Sequence, residues 1–139
     1  MHRYNNHAGI AAIAGALSVF VLFLIPSALA QEDKKLTLVA STTQIADFAR
    51  QVVGDRCVVN CVLAPGADPH TYQPTPDDVQ MVLDADVCLQ NGLHLEGKDW
   101  MGTLARDADK PMVTCTQNIQ PLSLDQGGEA VKDPHAWFS

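Results

Sequence analysis

Short apolar runs alternate with segments of helical periodicity from residue 36 onwards, and this alternation limits the fold more than any other feature. The predicted strands are residues 36–40, 57–63, 87–89 and 112–115. The intervening segments place apolar residues at helical spacing before Gly54, after Thr75-Pro76 and around Trp100. Strands that alternate with helices form parallel sheets, and near-continuous apolar strands suit a sheet covered on both faces. The sequence therefore predicts an α/β fold with a parallel four-stranded sheet flanked by helices.

Residues 1–30 have the organisation of a secretory signal peptide. Arg3 precedes a long apolar run, and Ala28-Leu29-Ala30 places small residues where signal peptidase cleaves. The alternative is an uncleaved membrane anchor, because the apolar region approaches the roughly 20 residues that span a bilayer. We predict cleavage after Ala30 and a soluble protein of the bacterial periplasm, residues 31–139. The first cysteine is Cys57, so the new N-terminus offers no acceptor for a lipid.

Charge and composition exclude several classes of function. The chain has 16 acidic and 9 basic residues, a net charge of -7, which disfavours a nucleic-acid-binding surface. It contains no low-complexity run, which disfavours disordered and fibrous classes. Neither a Gly-x-Ser-x-Gly elbow nor a phosphate-binding glycine-rich loop, a His-Glu-x-x-His pair or a Cys-x-x-Cys pair is present. We therefore expect a protein that is not an enzyme, has no nucleic-acid partner and is a monomer.

Four cysteines would enter an oxidising compartment after export, and they can pair in three ways. Cys57 and Cys61 lie about 13 Å apart if their segment is a strand, because a strand rises about 3.3 Å per residue. That exceeds the roughly 7 Å limit between the Cα atoms of a disulfide. A bridge between Cys88 and Cys115 requires their segments to be adjacent strands, and two free thiols that pack as small apolar groups explain the pattern equally well.

Two histidines in a repeated tripeptide are the strongest indication of a binding site. Ligands of open parallel sheets collect beyond the carboxyl ends of the strands, and His70 lies in the segment that leaves the second predicted strand. Residues 65–76 contain four prolines, which restrict the backbone and reduce the ordering entropy lost on binding. The sequence Asp68-Pro69-His70 recurs as Asp133-Pro134-His135. A lone histidine is most simply a surface-loop residue, but the repetition favours His70 and His135 as ligands of one metal ion.

Other polar residues near the third predicted strand have simpler explanations. His94 is a third metal-ligand candidate, and a hydrogen-bonded loop histidine accounts for it as well. Glu96 could accept a hydrogen bond from a neighbour of the metal ligands, but a solvated side chain is the simpler expectation. Asp68 and Asp133 each precede a histidine by two residues, but the intervening proline makes a direct contact between the acid and the imidazole ring awkward.

Four segments of the chain carry the motifs of one known family. They are residues 39–43, the Pro-His-x-Tyr-x-Pro-x-Pro loop within 66–76, the loop 91–96 and the closing 133–137. Together they resemble the periplasmic zinc- and manganese-binding proteins of metal ABC importers. The resemblance extends over residues 36–139. It implies two similar α/β lobes joined by a long helix, with a metal held between the lobes by four side chains, of which His70 and His135 match the first two.

The same resemblance implies that residues 31–139 are the N-terminal lobe, with the remaining ligands in a second lobe beyond Ser139. The implied function is the capture of a divalent metal, manganese or zinc, and its delivery to the membrane permease of an ABC importer. Zinc importers of this family often carry a histidine-rich insertion before the second histidine, and residues 118–132 contain no histidine. That slightly favours manganese, or a receptor that is less selective. The deciding third ligand lies outside the chain, since nitrogen favours zinc and a carboxylate suits manganese.

Two other functions are compatible with the sequence. Some relatives were described as adhesins, so the lobe could serve a metal-dependent adhesion or interaction protein. A small zinc hydrolase could use His70 and His135 beside an activated water, but it needs a third ligand such as His94.

Metal binding by imidazoles predicts a pH dependence. The affinity for a divalent ion should fall as the pH drops through the histidine range, because protons compete with the metal for the ring nitrogens. Isothermal titration calorimetry with Zn²⁺ at a series of pH values measures it. An affinity that stays constant down to acid pH would exclude imidazole ligands.

Overall fold

The computed structural model describes residues 34–138, and its centre is one parallel sheet. The strands are β1 (Leu36–Ala40), β2 (Cys57–Cys61), β3 (Val87–Gln90) and β4 (Met112–Thr114). The helices are α1 (Thr43–Val53), α2 (Pro76–Leu83) and α3 (Trp100–Asp107), with single 3-10 turns at Gly54–Arg56 and Ala136–Phe138. The sheet order is β2-β1-β3-β4, and all three pairings are parallel. The predicted α/β fold with a parallel four-stranded sheet is confirmed.

Strand β1 lies between β2 and β3. Its successive residues point to opposite faces of the sheet. Val39 and Ala40 are both fully buried. Val39 packs with Met101 of α3 on one face, and Ala40 packs with Ile45 of α1 on the other. The sheet is thus covered on both sides, which suits the predominantly apolar sequence of its strands.

Helix α2 begins at a capping box that also ties down the preceding loop. Thr75 Oγ1 accepts from the Asp78 backbone N–H, and the Asp78 carboxylate accepts from the Thr75 backbone N–H at 2.7 Å. Pro76 follows at the first helical position, where its missing N–H costs nothing. The Tyr72 hydroxyl donates to the same Asp78 Oδ2 at 2.7 Å. Burial and this hydrogen bond raise the pKa of Tyr72 to about 12.

The four thiols are free, and the strand positions account for the absence of the Cys57–Cys61 and Cys88–Cys115 bridges. Cys57 and Cys61 occupy the two ends of β2, as their spacing required. Cys88 pairs with Met112, whereas Cys115 follows the end of β4 and donates its N–H to Gln90 O. An offset of three residues between neighbouring strands separates Cys88 from Cys115 by about 10 Å. Adjacency of the two segments is therefore insufficient for a bridge, and burial raises the pKa of both thiols.

An antiparallel hairpin follows β4 in the chain, in a segment where the sequence analysis identified no strand. It joins β5 (Ser123–Gln126) to β6 (Glu129–Lys132), and Leu124 pairs with Val131. Gly127 and Gly128 form the two-residue turn, each with positive φ. Two glycines between short runs are a hairpin signature, so the sequence contained this information.

Residues 1–33 and 139 lie outside the described part of the chain, and so do the predicted signal peptide and its alternative, a membrane anchor. Among the residues that are described, none of the helices combines the length and apolar character needed to span a bilayer.

Replacing Asp78 with Asn should lower the free energy of unfolding by about 1–3 kcal/mol, because buried donors lose a charged acceptor. Asp78 is 6% exposed. Hydrogen bonds from Thr75 and Tyr72 outweigh the opposing effect of burial and lower its pKa in the folded state. Its stabilising contribution is therefore present above the pKa of the unfolded chain and is lost as the pH falls through the lower, folded value.

Urea unfolding of Asp78→Asn between neutral and acid pH tests this. The control is Asp77→Asn, which removes a neighbouring carboxylate that is exposed in the same helical turn. Equal stability of the two variants at neutral pH would contradict the role given to the Asp78 network.

Candidate metal site

The two Asp-Pro-His tripeptides fold into the same local structure. In each, the aspartate Oδ1 accepts the backbone N–H of the histidine two residues later, at 2.9 Å in both cases. Thr71 Oγ1 adds a hydrogen bond to Asp68 Oδ2 at 2.9 Å. These hydrogen bonds, the backbone one first, lower the pKa of Asp68 and of Asp133. The repeated tripeptide is thus a repeated turn that presents an imidazole.

Asp133 also binds the ring of His135, contrary to the expectation that the proline would prevent such a contact. Asp133 Oδ1 lies 2.7 Å from His135 Nδ1. The proline turns the chain back so that one carboxylate oxygen reaches both the backbone and the ring. A carboxylate oxygen accepts, so this contact suits the tautomer with its proton on Nδ1, in which the Nε2 lone pair is available to a metal ion. Metal-binding histidines are commonly held by a carboxylate in this way.

Two residues at and just before the start of α3 support the His70 loop. Trp100 Nε1 donates to Pro69 O at 3.0 Å. Gly97 lies so close to the His70 carbonyl oxygen that an added Cβ would clash with it. Tyr72 completes the support, since its ring centre lies 5.1 Å from that of Trp100.

The two loops bring the predicted ligands together. The ring centres of His70 and His135 are 6.4 Å apart, with the rings tilted by 73°. Both line a cavity of about 380 Å³ together with Leu95 and Trp137. Zinc binds imidazole nitrogens at about 2.0–2.1 Å, so this separation is compatible with both rings contacting one ion.

Glu96 is buried, so the prediction of a solvated side chain is wrong. Glu96 is 2% exposed. Oε1 accepts from Ser41 Oγ and from the Asn91 N–H, both at 2.7 Å, and Oε2 accepts from the Gly92 N–H at 3.0 Å. The signal that sequence reasoning missed is positional, because residues 91–96 follow β3 directly and turn back over the sheet edge.

Asn91 connects this edge to the second histidine loop. Its Nδ2 donates to Pro134 O at 2.9 Å and to Gly92 O at 2.8 Å. Thr116 Oγ1, just past β4, donates to Asn91 O at 2.6 Å. The polar residue that follows β3 thereby fixes the backbone next to His135.

His94 is exposed and adopts positive φ of +65°. It lines a cleft with His70 and Pro134. Within residues 34–138, however, no group of three or more His, Cys, Asp or Glu side chains is arranged to hold a metal ion. The described part of the chain thus brings two imidazoles together and does not add His94 to them.

Residues 38–139 match the sequence profile of the periplasmic zinc-uptake complex component A, ZnuA. The chain belongs to this family. The Asp-Pro-His turns and all of the parallel sheet except the first two residues of β1 lie within the matched residues.

Curated relatives agree with the family assignment. The chain is 37% identical over 113 residues to the metal ABC transporter substrate-binding lipoprotein SloC of Streptococcus mutans, covering 76% of this chain and 37% of SloC. It is 34% identical over 146 residues to the iron-binding protein YfeA of Yersinia pestis, covering 100% of this chain and 46% of YfeA. This chain thus spans less than half the length of the curated relatives it matches. Their names describe substrate-binding and metal-binding proteins, not enzymes.

Solved structures share the fold. A Mn-bound periplasmic metal-binding protein from Candidatus Liberibacter asiaticus matches with a TM-score of 0.64 and 30% identity, over 76% of this chain and 39% of that chain. The periplasmic zinc-binding protein TroA from Treponema pallidum matches with a TM-score of 0.63 and 34% identity, over 75% of this chain and 38% of that chain.

Replacing Gly97 with Ala should displace the His70 backbone, because the new Cβ has no room beside the His70 carbonyl. Positive φ alone costs a non-glycine residue roughly 1–2 kcal/mol. Gly66→Ala is the control, since Gly66 also has positive φ but its added Cβ meets nothing within 4 Å. Urea unfolding should show a larger loss for Gly97→Ala, and the NMR signals of the His70 ring should shift only in that variant. Similar stabilities and unchanged His70 signals in both variants would refute the steric role.

Proposed function

We propose that residues 31–139 form the N-terminal lobe of a periplasmic receptor that captures a divalent transition metal, manganese or zinc, through His70 and His135 and delivers it to an ABC importer permease. The observation that carries the proposal is the pair of Asp-Pro-His turns whose imidazole centres lie 6.4 Å apart at the carboxyl edge of the sheet. Membership of the ZnuA family supports the transport role.

The chemistry of the two ligands suits capture and release. Imidazole ligands suit zinc, whereas manganese prefers carboxylates, so the ligands outside this pair of histidines would decide between the two metals. Relatives carry names for both: the Streptococcus mitis protein PsaA is a manganese ABC transporter substrate-binding lipoprotein, and TroA is a zinc-binding protein. Two side chains leave a tetrahedral ion half coordinated, so this lobe alone should bind weakly. The remaining ligands are assigned to a second lobe.

Export to the periplasm completes the proposal. The segment 1–30 has the order of a cleaved signal peptide. The relatives SloC and PsaA are named lipoproteins. Because the first cysteine here is Cys57, we assign this chain to the soluble periplasmic form.

A zinc hydrolase is not favoured. It requires three protein ligands and an open position for water. The described residues supply the pair His70 and His135, and His94 does not join them in a cluster.

Loss of either proposed ligand should reduce Zn²⁺ affinity by at least about tenfold. Replacing a residue that only hydrogen-bonds to a metal ligand already lowers metal affinity by about 10–100-fold. The variants are His70→Ala and His135→Ala. The control is His94→Asn, because asparagine tolerates the positive φ at this position. Isothermal titration calorimetry with Zn²⁺ and Mn²⁺ measures the affinities. A hydrolase would lose binding with His94→Asn as well.

Native mass spectrometry of the protein from its own periplasm identifies the cargo. We expect one Mn²⁺ or Zn²⁺ per molecule, and the mass also reports how far the receptor extends beyond residue 139. A protein that carries no metal, together with unchanged affinity in both alanine variants, would overturn the proposal.

A further inference from the structure

We propose that Glu96 is a positioning residue that sets the separation between the His70 and His135 rings. It contacts neither ring. It acts through Asn91 on the His135 loop and through Gly97 on the His70 loop. The inference rests on the proposed metal-binding role of the two histidines.

Glu96 is buried without a cationic partner. All three of its hydrogen-bond donors are neutral, namely one hydroxyl and two backbone N–H groups. Within residues 34–138, no Lys or Arg forms an ion pair with it. Burying a carboxylate without a cation is unfavourable compared with an apolar or amide side chain of similar size. Its three hydrogen bonds offset this cost, and all three hold the segments that end at the carboxyl edge of the sheet, where the two histidine loops lie.

The first connection runs to His135. Glu96 Oε1 accepts the Asn91 N–H, while Thr116 donates to the Asn91 carbonyl from the other side. With its backbone held at both ends, Asn91 can direct Nδ2 to Pro134 O at 2.9 Å. The Pro134 carbonyl is part of the peptide bond to His135, so its position determines the position of the His135 backbone and of the attached imidazole.

The second connection runs to His70. Gly97 follows Glu96 directly and lies against the His70 carbonyl, with room for no side chain. Leu95, on the other side of Glu96, is 1% exposed and lines the cavity between the two imidazoles. Both histidine loops therefore rest on one short turn, residues 91–97. Movement of this turn changes the distance between the rings.

Glu96→Gln tests the inference with almost no change in shape. The new amide group replaces an acceptor oxygen with a donor, and it faces N–H groups that can only donate. We expect Zn²⁺ affinity to fall at least about tenfold, as for other residues that orient metal ligands. Asp86→Asn is the control: Asp86 Oδ2 accepts the Thr37 N–H at 2.7 Å at the amino end of β1. It removes a similar bond away from the histidines and should leave affinity within twofold of the native chain.

Cu²⁺ coordination in each variant distinguishes a change in the position of the two rings from a general loss of stability. Its electron paramagnetic resonance spectrum counts coordinated nitrogens, and we expect two imidazoles in the native chain and one in Glu96→Gln. Asn91→Ala is a second variant, because it leaves the Glu96 bonds intact and removes only the link to Pro134. It should give the same spectrum as Glu96→Gln. A two-imidazole spectrum and near-native affinity in both folded variants would overturn the inference.

A metal-free measurement separates this inference from the proposed function. Nuclear Overhauser contacts between the His70 and His135 ring protons should be present in the native chain and lost in Glu96→Gln. If the native chain binds no metal, the proposed function fails, and the ring contacts still decide whether Glu96 positions the rings. Contacts that persist in Glu96→Gln would show that the ring separation is independent of Glu96.

Discussion

The carboxyl edge of the sheet depends on the buried Glu96 carboxylate. Strands β1 and β3 end beside each other, and their last polar groups would face the protein interior without partners. Glu96 accepts from Ser41 after β1 and from Asn91 and Gly92 after β3. Hydrogen bonds to a charged acceptor are about twice as strong as neutral ones. This one side chain thus closes the edge on which the candidate site is built.

Two conformationally restricted loops form the candidate site beyond the carboxyl edge of the sheet. Each histidine lies in an Asp-Pro-His turn, in which proline restricts φ and the aspartate accepts the histidine N–H. Trp100 supports one turn from α3, and Asn91 supports the other from the end of β3. Little conformational entropy would remain to be lost if an ion bound, which supports the proposal that His70 and His135 are metal ligands.

Most of the fold was predictable because it depends on local patterns. Apolar periodicity identified the four strands of the parallel sheet and the three α-helices, and the Thr75-Pro76 start of α2 follows from helix-capping chemistry. The Gly127-Gly128 hairpin was missed even though its turn signature is local. Glu96 was misjudged for a different reason: whether a charged residue in a turn is solvated depends on what folds over it, and its partner Ser41 lies 55 residues away in the sequence.

The sequence by itself determined the fold class, the family and the pair of histidines, since strand periodicity and a repeated tripeptide are encoded in neighbouring residues. Only the tertiary structure decided that the His70 and His135 ring centres lie 6.4 Å apart, that Asp133 reaches a ring across a proline, and that Cys88 and Cys115 do not pair. These outcomes depend on strand register and loop direction. Both result from contacts between segments distant in sequence, which no local pattern specifies.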